Sequence, residues 1–200
     1  MPPSPASLTD RAAASDAALA ARVALGDADA LDPLYRRHRS QVYRFALLWS
    51  GSPAVAADVT QDVFVHLLTR AGDFDAALGA LAPWLLGIAR NFVRRRFAVP
   101  ESPVADTDLP ATLAAAPDAA PDVALVAQQD LERLRRAIAA LPPHYRDVLV
   151  LVELAERSYA ETAAICGLEL NTVRSRLFRA RALLAQALAL DAGDAAAGAA

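Results

Sequence analysis

Apolar residues return every third or fourth position through most of this 200-residue chain, and no stretch alternates convincingly with period two. The first spacing lines one face of a helix, whereas alternation would line one face of a strand. In "DADALDPLYRRHRSQVYRFALLWSG", Leu31, Leu34, Tyr35, Val42, Phe45 and Trp49 form such a stripe, and Gly51 stops it. Ser52 and Pro53 make a cap and first-turn pair for a second helix, "AVAADVTQDVFVHLLTR". After a loop around "AGDFDAALGALA", Pro83 opens a third, "WLLGIARNFVRRRF".

A second helical block begins with "VALVAQQDLERLRRAIAAL", ended by Pro142 and Pro143, and continues through "HYRDVLVLVELAE". Ser158 followed by Glu161 is a capping-box spacing that opens "YAETAAIC", and Gly167 ends that helix after about two turns. Asn171 is suited to cap the next helix, which runs towards Leu188. Short helix, turn with glycine, longer helix is the layout of a helix-turn-helix.

Between the blocks, Pro100, Pro103, Pro110, Pro117 and Pro121 stand among Ala, Asp and Ser. Such a segment buries too little apolar surface to offset its ordering entropy. The pattern predicts an all-α chain of two small helical domains, 24–97 and 128–190, joined by a flexible Pro/Ala/Asp-rich linker over 98–127. The first fifteen residues and the tail "DAGDAAAGAA" are expected to be disordered.

Charge sharpens this division. The chain has a formal net charge of −3, yet 24–97 holds nine arginines against seven acids and 131–190 holds nine against six. Residues 98–130 hold six acids and no base. The negative total therefore belongs to the connector and termini, while both helical blocks are mildly basic. No lysine occurs, which with the abundant alanine reflects codon bias as much as a need for guanidinium geometry.

The densest positive run is "NTVRSRLFRARALL", with Arg174, Arg176, Arg179 and Arg181 and no acid. At about 100° per residue, Val173, Leu177, Ala180, Leu184 and Leu188 fall on one inward stripe. Thr172, Ser175, Phe178 and Arg179 fall opposite, flanked by Arg174, Arg176 and Arg181. Hydroxyls, guanidiniums and one aromatic on the N-terminal half of a second helix suit base edges in a DNA major groove, with flanking bases on phosphates. A solvated basic face is the plainer reading, but it leaves Phe178 without a reason.

These residues resemble a known family. "LPPHYRDVLVLVEL…SYAETAAICGLELNTVRSRLFRARALL" is similar to the fourth region of extracytoplasmic-function (ECF) sigma factors, specificity subunits of bacterial RNA polymerase. "LYRRHRSQVYRFAL", "DVTQDVFVHLL" and "FDAALGALAPWLLGIARNFVRRR" resemble the second region. The resemblance spans about 24–97 and 128–189, in family order. It implies that Thr172, Arg174, Ser175, Arg176, Phe178 and Arg179 meet the promoter's minus-35 element. It also implies that Asn91 reads a minus-10 base flipped out of the non-template strand, since an amide can pair with an exposed Watson–Crick edge. Arg90, Arg94, Arg95 and Arg96 suit that strand's phosphates, and Phe74 and Trp84 suit stacking on unpaired bases. For Trp84, core packing is the other reading. Asp58, Gln61 and Asp62 lie on the "DxxQD" ridge that in the family binds core RNA polymerase; a solvated face is the alternative. An anti-sigma factor is a further implied partner. Departures from the family pattern are Val152 where many members carry Arg, Glu156 where Gly is usual, and Thr162 where Ile is usual.

Other functions fit less well. A helix-turn-helix regulator that never joins polymerase leaves "DVTQDVF" and "WLLGIARNF" without a task. An enzyme or metal centre built on Asp58, Asp62 and His66 has three groups on one rigid helix, a poor arrangement for converging on one ion, and no nucleophile–base pair. No metal and no cofactor are expected. Cys166 is the only cysteine, so no internal disulfide can form, and it reads as a buried inert thiol. With no apolar run of about 20 residues and no basic-then-apolar start, the expected location is the cytoplasm.

Overall fold

The computed structural model describes residues 14–98 and 123–197, with side chains over 14–98 and 130–189. Every regular element among these residues is helical, as the apolar spacing predicts. The helices are α1 (Asp16–Ala24), α2 (Leu31–Ser50), α3 (Pro53–Arg70), α4 (Leu81–Arg96), α5 (Val123–Ala140), α6 (Pro143–Leu149), α7 (Tyr159–Cys166) and α8 (Leu170–Ala197). The chain divides into two compact units, Met1–Leu47 with Pro53–Arg96, and Leu48–Ser52 with Phe97–Ala200. Most of the expected linker, 99–122, lies outside the described residues.

In the first unit the apolar stripes meet in one core. Leu34, Val42 and Phe45 from α2, Val59, Val63 and Leu67 from α3, and Leu81, Leu85, Leu86 and Val93 from α4 are all buried. Each such large side chain removed from water contributes about 1.5–3 kcal/mol. Helix α4 starts two residues before the expected Pro83, which then occupies the first turn, where its missing N–H costs nothing.

Helix α1 lies ahead of the expected domain start, although its signals are present in the sequence. Ser15 caps it by accepting the Ala18 N–H at 3.2 Å, and Leu19, Ala20 and Val23 join the core. Asp16 fastens its start to α2: its carboxylate takes Arg37 at 2.7 Å and lies 2.6 Å from His38 Nε2. Burial pushes the Asp16 carboxyl up, but the hydrogen bonds from Arg37 and His38 outweigh this and hold it below the usual carboxylate range. The first unit is therefore longer at its N-terminal end than the expected start at residue 24.

The second unit is built from short helices whose ends are closely controlled. Pro142 and Pro143 end α5, and the Arg146 guanidinium donates to the Leu141 carbonyl from Nε and Nη2 at 3.2 and 2.7 Å, and also to the Ala139 carbonyl. Burial pushes Arg146 down to about 10. Helix α6 widens into one π turn over Val150–Leu154, with the Ala155 N–H bonding Val150 at 2.9 Å. Glu156 follows with φ of +55°, and the Arg157 N–H closes back on the Leu151 carbonyl at 2.9 Å. This left-handed position is where the family pattern has glycine, and a glutamate holds it here at a steric cost.

The expected capping box is present. Ser158 Oγ accepts the Glu161 N–H at 3.1 Å, and the Glu161 carboxylate accepts the Ser158 N–H at 2.9 Å. That backbone hydrogen bond holds the Glu161 carboxyl below its ordinary range. Gly167, with φ of +66°, ends α7, and the Leu168 N–H returns to Ala163 at 2.9 Å.

Two boundaries differ from expectation. Helix α8 starts at Leu170, with the Val173 N–H on the Glu169 carbonyl at 3.1 Å, so Asn171 stands inside the first turn and is not the cap. At the other end α8 continues to Ala197, through most of the alanine-rich stretch expected to be disordered. Alanine is the strongest helix former, which favours propagation once the helix is nucleated.

Candidate polymerase and nucleic-acid surfaces

On α8 the inward face carries Val173, Leu177, Ala180 and Ala187, all buried. Arg176 joins them at 8% exposure, because its position falls beside Val173 and Leu177 on the helix surface. Of the residues expected to meet minus-35 DNA, Arg174, Phe178 and Arg179 are exposed and Thr172 and Ser175 half-buried. Ser175 Oγ donates to the Thr172 carbonyl at 3.1 Å, leaving its lone pairs to accept. Phe178 is 74% exposed, an uncovered aromatic one turn after Arg174 and next in sequence to Arg179, whose guanidinium donates to the Tyr145 hydroxyl at 3.5 Å. Arg181 lies further along, held by the Glu153 carboxylate through Nε at 3.0 Å.

On α4 the arginines are also sorted. Asn91 and Arg95 are exposed, Arg90 is half-buried, and Arg94 is buried at 7% exposure. Arg95 lies 5.9 Å from the Phe92 ring centroid, within cation–π reach. Phe74, from the segment before α4, and Trp84, two turns before Asn91 on α4 itself, form a tilted ring pair at 5.6 Å, and both are half-buried. Trp84 thus serves partly as packing and keeps an open portion, which accommodates both sequence readings. His66 packs between Trp84 at 6.1 Å and Phe92 at 6.0 Å, a ring contact that sequence spacing alone did not suggest.

The ridge on α3 brings Asp58, Gln61 and Asp62 onto one outward side, with Asp58 and Gln61 exposed and Asp62 half-buried. An open, largely apolar groove of about 510 Å³ runs beside it, lined among others by Tyr35, Thr60, Gln61, Phe64, Val65 and Leu68. Val65 and Leu68 are exposed there, so apolar surface adjoins the acids. Asp58 and Asp62 are both engaged by Arg96 of α4, at 2.9 and 2.8 Å. The sequence had placed Arg96 with the phosphate-facing arginines, not with these acids. Among the described residues no group of His, Cys, Asp and Glu is arranged to hold a metal ion. No described helix is long and apolar enough to cross a membrane. Cys166 is half-buried, less enclosed than expected.

Comparison with known proteins follows the same two-part division. Residues 34–98 match sigma-70 region 2 and residues 131–184 match sigma-70 region 4, in chain order, which defines a sigma-70-type promoter-specificity subunit. The ECF RNA polymerase sigma factor SigM of Mycobacterium tuberculosis is 36% identical over 180 residues, covering 87% of this chain and 85% of SigM. The chain belongs to the ECF RNA polymerase sigma factors. Among solved structures, CnrH in complex with the cytosolic domain of CnrY is 27% identical with a TM-score of 0.67, covering 89% of this chain and 99% of CnrH. RpoE in complex with the anti-sigma factor NepR from Bartonella quintana is 25% identical with a TM-score of 0.58, covering 80% and 97%. As a member of this family, the chain acts in transcription initiation with RNA polymerase and promoter DNA.

Proposed function

We propose that the two units divide promoter reading between duplex and single-stranded DNA, with the α3 ridge as the attachment to core polymerase. The observation that carries this reading is that each matched region bears one helix with exposed arginine beside a base-reading group: Asn91 with Arg95 on α4, and Phe178 with Arg174 and Arg179 on α8. On α8, Thr172, Arg174, Ser175, Phe178 and Arg179 take the minus-35 duplex, with the guanidiniums on guanine edges or phosphates. On α4, Asn91 pairs with a flipped minus-10 base, Arg90 and Arg95 hold the strand, and the open parts of Trp84 and of Phe74, from the segment before α4, stack on neighbouring bases. Buried Arg94 and Arg176 support these helices from behind. Asp58, Gln61 and Asp62 meet a basic, amphipathic surface of polymerase, whose apolar side fits the groove at Val65 and Leu68. The task is positioning and strand opening with no reaction of the protein's own, carried out in the cytoplasm beside polymerase. An anti-sigma factor of the kind bound to RpoE is the expected regulator.

The test is permanganate footprinting of holoenzyme on linear promoter DNA and on a template whose minus-10 strands are already mismatched. Asn91→Ala impairs opening of the linear template and still discriminates less between right and wrong minus-10 bases on the pre-opened one, because pre-opening removes the melting cost but does not restore the lost contact. Equal base discrimination by mutant and wild type on the pre-opened template overturns Asn91 as the reader.

A further inference from the structure

Arg96 belongs to two surfaces at once. It is the last residue of α4, next to Arg95 and five positions past Asn91, among the arginines suited to DNA phosphates. Its guanidinium instead points across to α3. Nη1 donates to Asp58 Oδ2 at 2.9 Å and Nη2 to Asp62 Oδ2 at 2.8 Å. Asp58 and Asp62 are four residues apart, one helical turn, so a single planar fork spans both. The bridge therefore covers the two carboxylates read above as the polymerase contact. It does so with the chemistry that a basic partner would bring.

The bridge is built to exchange. The side chains of Arg96, Asp58 and Asp62 remain 35%, 59% and 42% exposed. Ion pairs this open to water are weak and salt-sensitive, so a partner supplying several bases and apolar surface together displaces one arginine readily. Once displaced, Arg96 has a long stem on the same helix as Asn91 and a strand of phosphates as its alternative partner.

We propose that Arg96 is a shared residue: it occupies the ridge in the free protein, and polymerase binding displaces it and releases it to the DNA backbone. The consequence is coupling between the two surfaces, since whatever releases Arg96 from the acids makes it available to phosphate, and DNA that holds Arg96 leaves the acids open to polymerase. The proposal rests on the reading of the ridge as the polymerase contact.

The experiment uses the full chain as wild type, Arg96→Ala, Arg96→Gln and the double variant Asp58→Asn with Asp62→Asn. Affinity for core polymerase is measured at low and high salt, and promoter binding by each holoenzyme across a salt series. Arg96→Ala and Arg96→Gln are expected to bind core polymerase roughly two- to fivefold tighter at low salt, an advantage that fades at high salt. Their holoenzymes should lose about one unit of salt slope on promoter DNA, the signature of one lost phosphate contact. The double variant should bind polymerase more weakly. If it does, and the Arg96 variants bind polymerase no tighter than wild type, the ridge stands and the sharing of Arg96 is overturned. If the Arg96 variants bind tighter but keep the full salt slope, release to DNA is overturned. If the double variant keeps wild-type affinity, the ridge reading fails and this proposal falls with it.

Discussion

Helices α4 and α8 each carry four arginines in a short stretch, and in each the four are sorted into buried, acid-bound and exposed positions. On α4, Arg94 is buried, Arg96 is held by Asp58 and Asp62, Arg90 is half-buried, and Arg95 is exposed beside Phe92. On α8, Arg176 is buried, Arg181 is held by Glu153, and Arg174 and Arg179 are exposed beside Phe178. A count of arginines therefore overstates the charge that each helix offers to DNA. One arginine in each run fills the helix's inner face with its aliphatic stem, and one is fastened to acids of a neighbouring helix or turn. The difference lies in what accompanies the exposed ones. Helix α4 offers an amide and, with Phe74 from the segment before it, a ring pair, which suit separated bases, whereas α8 offers hydroxyls and a lone aromatic on its first turns, which suit a groove. The frames differ too: α4 packs against α3, while α8 packs chiefly on α6, with α5 and the two-turn α7 beside it.

The largest expected effect tests the division between buried and exposed arginines. Arg176→Ala should destabilise its unit by about 2–4 kcal/mol, through lost packing and a cavity that the helix cannot close. Arg94→Ala should do the same in the first unit. Arg174→Ala and Arg95→Ala should stay within about 0.5 kcal/mol of wild type, as surface changes do. Urea unfolding followed by hydrogen exchange resolves the two units. Stability losses of equal size for Arg176→Ala and Arg174→Ala would break the comparison.

A smaller effect probes the frame of α8. Thr162 is fully buried on α7, and its hydroxyl has no hydrogen-bond partner. The family pattern has an apolar residue there. Thr162→Val keeps the shape, removes the stranded hydroxyl, and should stabilise the second unit by about 1–2 kcal/mol. The first unit should keep its exchange rates. A destabilising Thr162→Val would show that the hydroxyl is satisfied in solution.

The smallest effect concerns the two helix ends that flank α7. Both close through a left-handed residue with a backbone hydrogen bond reaching five or six residues back, at Gly167 in one case and Glu156 in the other. Only the first is free of a Cβ penalty. Glu156→Gly should stabilise the second unit by about 0.5–1 kcal/mol, while Gly167→Ala should cost a similar amount or more. Thermal melts of the three proteins order the two positions directly; a Glu156→Gly variant that melts lower than wild type would place the strain elsewhere.

Much of this architecture was legible in local signals. The three-and-four spacing marked α2, α3 and α4, and the Ser158–Glu161 box and Gly167 marked α7 and its end, because caps and stripes are made by residues a few positions apart. The motif "DVTQDVF" put Asp58, Gln61 and Asp62 on one side of α3, and the turn of the helix put Phe178 outward on α8. Val152, where many family members carry Arg, is half-buried in the π turn, so its departure replaces a polar tip with packing. Helix α1 was equally local and could have been read from Ser15, Leu19 and Val23.

What sequence by itself determined is therefore the set of helices and most of their inner faces, which depend on spacing within about seven residues, and the order of the two regions. Tertiary structure decided the use made of each charge. Arg94 and Arg95 are adjacent and chemically identical, yet one is buried and the other exposed, because a 100° turn carries the first against α3's side of the core. Arg96 and Asp58 lie 38 positions apart and meet at 2.9 Å only because α3 and α4 pack side by side. A guanidinium's partner is set by which chains come within reach of its long stem after the cores have closed, and that distance is not written in the residues around it.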